Sequence, residues 1–289
     1  MLGLPQVFIM LSKPKYAIVD ESLPEIGLQR CELFVEFDNC DISYAVIQPK
    51  QNKFLAFKNY QANDFKQLAE IFANDGILLF DSFLKIKFSI VNVQSTLVPS
   101  AFYEAQKNAE LLAFNHQIGS ADSIAKDDFG FFDAKHVFAV NDDLINFAVN
   151  QLKQVHINHC GTAFIEHGLL KNRNKAQRAI SVNVHKHQFE MMVIAENQLL
   201  FYNNFYYNTA EDFIYFIMLV YEQLNLNPEE DVLEITGLIE KQSAIFSISK
   251  KYIRYVDLAM RQQAFQFSYG FEQLPAWQFQ TLFSLGLCV

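Results

Sequence analysis

The chain has 289 residues, enough for two domains of ordinary size, and its 51% hydrophobic and 19% charged residues describe a packed globular protein rather than a disordered one. A net charge of −9 excludes broad electrostatic binding to nucleic acid or to an anionic membrane, both of which need clustered Lys and Arg. The four cysteines, Cys31, Cys40, Cys160 and Cys288, stand far apart with no C-x-x-C pair, so neither a zinc site nor a disulfide framework is suggested and a reducing, cytoplasmic setting fits.

Residues 1–11 are apolar but carry no basic leader or small-residue cleavage pattern, and Pro5 interrupts them; initiation at Met10 is an alternative reading of this start. Residues 31–37 and 42–48 alternate like half-buried strands around the polar turn Asp38-Asn39-Cys40-Asp41. A third strand follows at 53–60, then a helix at 64–73 with Phe65, Leu68, Ala69 and Phe72 on one face, stopped by Asn74-Asp75-Gly76. Beyond it the pattern predicts a strand at 85–93, a helix at 100–114, a polar connection at 118–134, a strand at 136–140, a helix at 142–152 and a strand at 153–158. The basic stretch Lys171-Asn172-Arg173-Asn174-Lys175 reads as a solvated linker.

The second half begins with strands at 179–184 and 189–194, a third at 198–206, and a helix opened by Thr209, where Asp212 three residues on resembles a capping box. That helix is apolar on every side through Tyr221, which predicts cover on more than one face and a place at the domain junction. Its nine-residue apolar run, 213–221, is too short to cross a bilayer.

These halves are copies. A shift of 147 residues lays the second hairpin on the first without a gap, matching Leu33 with Ile180, Val35 with Val182, Phe37 with Val184, Ile42 with Phe189, Tyr44 with Met191 and Val46 with Val193 in apolar character. The division falls at 1–175 and 176–289. Each half runs through three antiparallel strands and then parallel crossovers, an α/β arrangement with a mixed sheet flanked by helices.

A βββαβα order present twice resembles the actin-like ATPase fold, a duplicated ribonuclease H-like unit. The segments 96–102, 210–215, 220–224 and 235–240, reading TLVPSAF, AEDFIY, VYEQL and ITGLIE, are similar to an uncharacterised bacterial family with that fold, over residues 15 to the end. The resemblance implies a cleft between the halves where nucleotide phosphates meet the first turn of each half, with an Asp and a nearby Gly. Asp38 and Asn39 are then the phosphate- and metal-side candidates, and Thr236 and Gly237, ending the strand before Leu238, the adenosine-side ones. No glycine follows Asp38, however, and the matching turn His185-Lys186-His187-Gln188 has neither acid nor glycine.

The expectation is therefore a non-catalytic actin-like protein that binds a protein partner or itself, with no cofactor assigned and no nucleic acid or membrane as partner. The alternatives are a nucleotide-binding ATPase or switch in the cleft, or a small-molecule binder. Glu36 has no evident partner acid from a second strand, which argues against two-metal nuclease chemistry. Among the histidines, His156 is expected on the strand face away from the core and His159 in a turn at Gly161. His185 and His187, two residues apart, would share one side of a strand, and a Cys160–His159 couple requires the fold to turn adjacent side chains together.

Overall fold

In the computed structural model, residues 13–288 are described. The first half comprises β1 (Tyr16–Val19), the short helix α1 (Leu23–Ile26), β2 (Glu32–Phe37), β3 (Asp41–Gln48), β4 (Lys53–Gln61), α2 (Phe65–Asn74) and β5 (Lys85–Ile90). It continues with β6 (Ser95–Pro99), α3 (Asn108–Ala113), β7 (Asp122–Asp128), β8 (Ala134–Asn141), α4 (Asp142–Gln151), β9 (Val155–His159) and α5 (Cys160–Lys171). The second half comprises β10 (Ala179–Val184), β11 (Gln188–Ala195), β12 (Gln198–Tyr206), α6 (Ala210–Gln223), β13 (Leu233–Gly237), α7 (Ala244–Tyr252) and β14 (Val256–Leu258), and closes with β15 (Gln266–Phe267) and α8 (Gln280–Ser284).

The two main sheets run in the orders β4-β3-β2-β5-β9 and β12-β11-β10-β13-β14, the same arrangement twice. Their registers coincide under the 147-residue shift. Leu33 pairs with Val46 and Ile86 in the first sheet as Ile180 pairs with Val193 and Leu233 in the second. Both third-strand pairings carry an irregularity at the same place, between Val46 and Ile47 and between Val193 and Ile194. Such agreement follows from period-2 burial: a slip of one residue would turn every apolar side chain of the hairpin to the wrong face.

The matched apolar residues face outward from the molecular centre. Leu33, Val35, Phe37, Tyr44 and Val46 pack under α2 and α4, and Ile180, Val182, Val184, Phe189 and Val193 pack under α6. Thr209 caps α6 through its hydroxyl, and Asp212 accepts from the Thr209 N–H in return, both at 3.0 Å, completing the expected capping box. The helix does not sit at the domain junction. It forms the outer layer of the second half, and Tyr215 is 62% exposed.

Between the two sheets lie α5 and α8, which pack on each other and on the inner faces of β2, β3, β11 and β13. The C-terminal segment crosses to the first half: β15 pairs with β4, and Phe265, Phe271, Phe279 and Phe283 cluster on Phe54 and Phe57. Each buried Phe contributes about 1.5–3 kcal/mol. Lys87 fastens the end further, its buried ammonium donating to the carbonyls of Leu285 and Cys288. Residues 265–288 thus share a core with the first sheet although they follow the second in sequence.

Two predicted segments differ. The polar connection 118–134 contains β7, which with β6 and β8 forms a separate three-stranded antiparallel sheet, so residues 136–140 do not join the main sheet. Its charged sequence DSIAKDD hid it, since its one buried side chain is Asp127, satisfied by Asn158, the N–H of His159 and Thr162, and such a strand lacks the apolar alternation that marks a half-buried one. The helix predicted at 100–114 is reduced to α3 and two short 3-10 turns. The alternative start at Met10 lies outside the described residues.

Candidate functional site: the cleft between the halves

While outer faces of the two hairpins stayed alike, their inner faces diverged. Glu36 and Ser43 on the first hairpin correspond to Asn183 and Glu190 on the second, and Asp38 corresponds to His185. All except Glu190 line one cavity of about 30 Å³ between the hairpins, closed on its other sides by Asp41, Asn59, Gly237, Leu238, Phe279 and Thr281. That is room for about two water molecules.

Glu190 is fully buried and anchors the second hairpin's inner face. It accepts from Asn183 Nδ2 at 2.8 Å, Tyr202 Oη at 2.7 Å and Cys160 Sγ at 3.5 Å, and lies 3.3 Å from His185 Nε2. The N-terminus of α5 abuts it so closely that a Cβ on Gly161 would collide with Tyr202 Oη and approach Glu190 Oε1 to 2.8 Å. Burial pushes the Glu190 carboxyl up, but the hydrogen bond and charge of His185, with His159 and Asn183, outweigh it and hold the group well below the usual range. Burial likewise lowers His185, and the bond to Glu190 with the fields of Glu36 and Asp38 reverses this and raises it. Both shifts favour a charged carboxylate–imidazolium pair within the second hairpin, with the carboxylate facing the positive end of α5.

Opposite stands Glu36, whose Oε2 is sealed from solvent without a hydrogen-bond partner. Its pKa rises from 4.5 to about 7, chiefly through burial, with Glu190 and Asp38 adding to the rise. Glu190 is thus the second acid, from a second strand, that sequence reasoning did not find beside Glu36. The 147-residue shift could not have found it, because Glu190 pairs with Asn183, the counterpart of Glu36, and only the approach of the two hairpins brings the two acids to one cleft.

The predicted site residues fall unevenly around this cavity. Asp38 and Gly237 both line it. Asp38 Oδ1 accepts from the N–H groups of Cys40 and Asp41, at 2.9 and 2.6 Å, and so closes its own turn, in which the exposed Asn39 takes φ +63°. Thr236 Oγ1 and Gly237 N both donate to the carbonyl of Trp277, and Leu238 N donates to Val184 O. Gly237 has φ +93°, and a Cβ there would collide with the carbonyl of Val184, so this glycine serves the close approach of β10.

The histidines separate. His159 caps α5 rather than entering a turn, Nδ1 accepting from Gly161 N at 3.0 Å while Nε2 lies 3.0 Å from Asn92 O. Cys160 Sγ is 4.0 Å from Nδ1, but burial pushes the thiol far up and the imidazole down to about 4, so no thiolate–imidazolium couple forms. His159, Cys160 and Glu190 offer three donors within 4.8 Å of one another, a trio of metal-ligand types. Both ring nitrogens of His159 are already committed to the backbone, and Glu190 is saturated by its four neighbours, so the trio is satisfied as a hydrogen-bond network. His185 is buried in the cleft, whereas His187 and His156 are exposed. Lys171, read as linker, ends α5 and pairs with Glu234 at 2.5 Å.

Residues 22–256 match a family described as a protein of unknown function (DUF3822), and the chain belongs to that family. No curated protein matches the sequence. Among solved structures, a Bacteroides thetaiotaomicron protein with an actin-like ATPase fold and unknown function is 18% identical, covers 91% of this chain and 97% of its own, and superposes with a TM-score of 0.77. A chain of the PilM-PilN type IV pilus biogenesis complex is 10% identical, with coverage of 89% and 97% and a TM-score of 0.55. The fold is therefore the actin-like ATPase fold, as the repeated strand order implied. No helix among the described residues is long and apolar enough to cross a membrane.

Proposed function

We propose that this DUF3822 member is a non-catalytic interaction module, working in the cytoplasm by binding a protein partner or a second copy of itself. The observation that carries the reading is the narrowness of the cleft: about 30 Å³ between the Asp38 and His185 turns, against the roughly 300–1,000 Å³ of small-molecule sites. The groups that would have to receive a nucleotide are spent within the chain. Gly237 N–H serves Trp277, Asp38 serves its own turn, and the donors around the second hairpin converge on Glu190, a carboxylate supplied by the protein itself. Neither a nucleotide nor a small organic ligand fits these residues as arranged. A body whose C-terminal segment crosses from the second half to pack on Phe54, Phe57 and Lys87 of the first suits a scaffold better than a machine that opens and closes around substrate. A chain of similar fold in a complex named for two proteins, PilM and PilN, agrees with this role.

The test is the melting temperature in millimolar Mg-ATP. The reading predicts no change, whereas a ligand at a hundredfold excess over its dissociation constant adds about 2.7 kcal/mol of stability. A rise of several degrees would overturn the interaction reading. If Asp38→Ala then abolished that rise, the nucleotide alternative would gain its metal-side residue.

A further inference from the structure

The sequence of α6 poses a question that the cleft does not answer: why a surface helix should be apolar on every side. Phe213, Ile217 and Val220 face the second sheet and account for one side. The other side borders a groove of about 550 Å³ between α6 and α7, lined by Ile214, Tyr215, Met218 and Leu219 from the first helix and by Ile248 and Tyr252 from the second. Tyr215 and Tyr252 are 62% and 55% exposed. A partly covered apolar stripe, with Tyr215 and Tyr252 exposed and Met218 and Leu219 half-buried, has the composition of an interface core rather than of ordinary surface.

The charge around the groove narrows the occupant. Glu211 and Glu222, about three turns apart near the two ends of α6, line it, and no Lys or Arg does. Of the cations nearby, Lys250 lies over the Phe246 ring and Arg254 over Tyr255 and against Glu229, while Lys251 is exposed at the end of α7 outside the groove lining. Within the groove itself an anionic headgroup would meet two carboxylates and no cation. The channel between two adjacent helices, along the 14 residues or about 21 Å of α6, accepts the apolar face of a third helix at i, i+3, i+4 and i+7 spacing.

We propose that the groove between α6 and α7 receives an amphipathic helix of a partner protein, with Lys or Arg flanking its apolar face. This rests on the interaction reading above and gives it a surface and a partner chemistry. The full chain is titrated with a fluorescein-labelled 18-residue amphipathic peptide of Leu and Lys, with the same pattern in Leu and Glu, and with phosphatidylglycerol vesicles. The expected result is saturable binding of the Leu/Lys peptide alone, weakened at least tenfold by Tyr215→Ser with Met218→Ser, weakened also by Glu222→Lys, and falling with salt. Should the double variant melt more than a few degrees below wild type, the exposed Tyr215→Ser alone replaces it.

Four results overturn the proposal: no binding of the Leu/Lys peptide up to 100 µM; equal binding by the variants, which would mean attraction to the net charge alone; vesicle binding that the variants abolish; or a dimer in light scattering that they abolish. The Mg-ATP melting experiment stays separate. A nucleotide shift would sink the interaction reading whatever the peptide does, and a failed peptide titration with no nucleotide shift would sink only the groove.

Discussion

Replacing Glu36 by glutamine keeps the shape of the side chain and removes the one carboxylate that faces the narrow cleft with an unpartnered oxygen. The folded chain holds this carboxyl at about 7 instead of 4.5, first because it is buried and then because Glu190 and Asp38 face it, while His185 and Thr281 pull the other way. A folded-state pKa above the unfolded one contributes stability that is fully present below pH 4.5 and lost as pH rises through about 7. At 1.36 kcal/mol per pH unit, the interval amounts to about 3 kcal/mol, or about 5–10 °C in melting temperature for a chain of this size.

Glutamine has no proton to lose, so the difference between variant and wild type should be constant below pH 4.5, grow in favour of the variant from there to pH 7, and level off. Differential scanning fluorimetry of both proteins from pH 4 to pH 8.5 measures it. Since the slope is the readout, any fixed effect of the amide drops out. A difference that does not change with pH would show that Glu36 meets water freely and that the cleft is open in solution, and the argument for a narrow site would fail with it.

Gly161→Ala should destabilise by about 1–3 kcal/mol through overpacking, because the new methyl meets the Tyr202 hydroxyl and the Glu190 carboxylate at the junction of α5 and β12. Adding Tyr202→Phe should recover part of that loss in thermal melting, and a double variant no better than additive would place the strain elsewhere. Asp75→Ala should cost about 3–5 kcal/mol in urea unfolding, since it strands the hydroxyls of Tyr44 and Tyr60 and the ammonium of Lys58, at 2.9, 2.5 and 2.8 Å, under the end of α2. Burial raises the Asp75 carboxyl, but these three donors outweigh it and lower its pKa, so wild type should lose this contribution as the pH falls through the acid range while the variant does not.

The repeat, its register and the fold it implied were all determined by the sequence, because alternating burial is a local property and two hairpins that bury the same face must repeat the same pattern. The capping box at Thr209 was equally legible, since its two hydrogen bonds span only three residues. The missing glycines at both turns already argued against a phosphate. What periodicity cannot convey is what a face is buried against. Asn183, His185 and Glu190 lie in or beside well-read strands, yet only the approach of α5 and the first hairpin makes them an internal ion pair with its hydrogen-bond cage.

The same limit explains α6 and the C-terminal segment. An all-apolar helix says that it needs cover, not whether the cover lies in the same chain, and tertiary packing left Tyr215 exposed and Met218 and Leu219 only half-covered on one side of this helix. Residues 265–288 carry aromatics with no period that names their partner, and only the folded chain brings them across to Phe54 and Phe57. Contacts between residues more than two hundred positions apart, such as Lys87 to the carbonyl of Cys288, depend on the summed geometry of both halves, which no local pattern encodes.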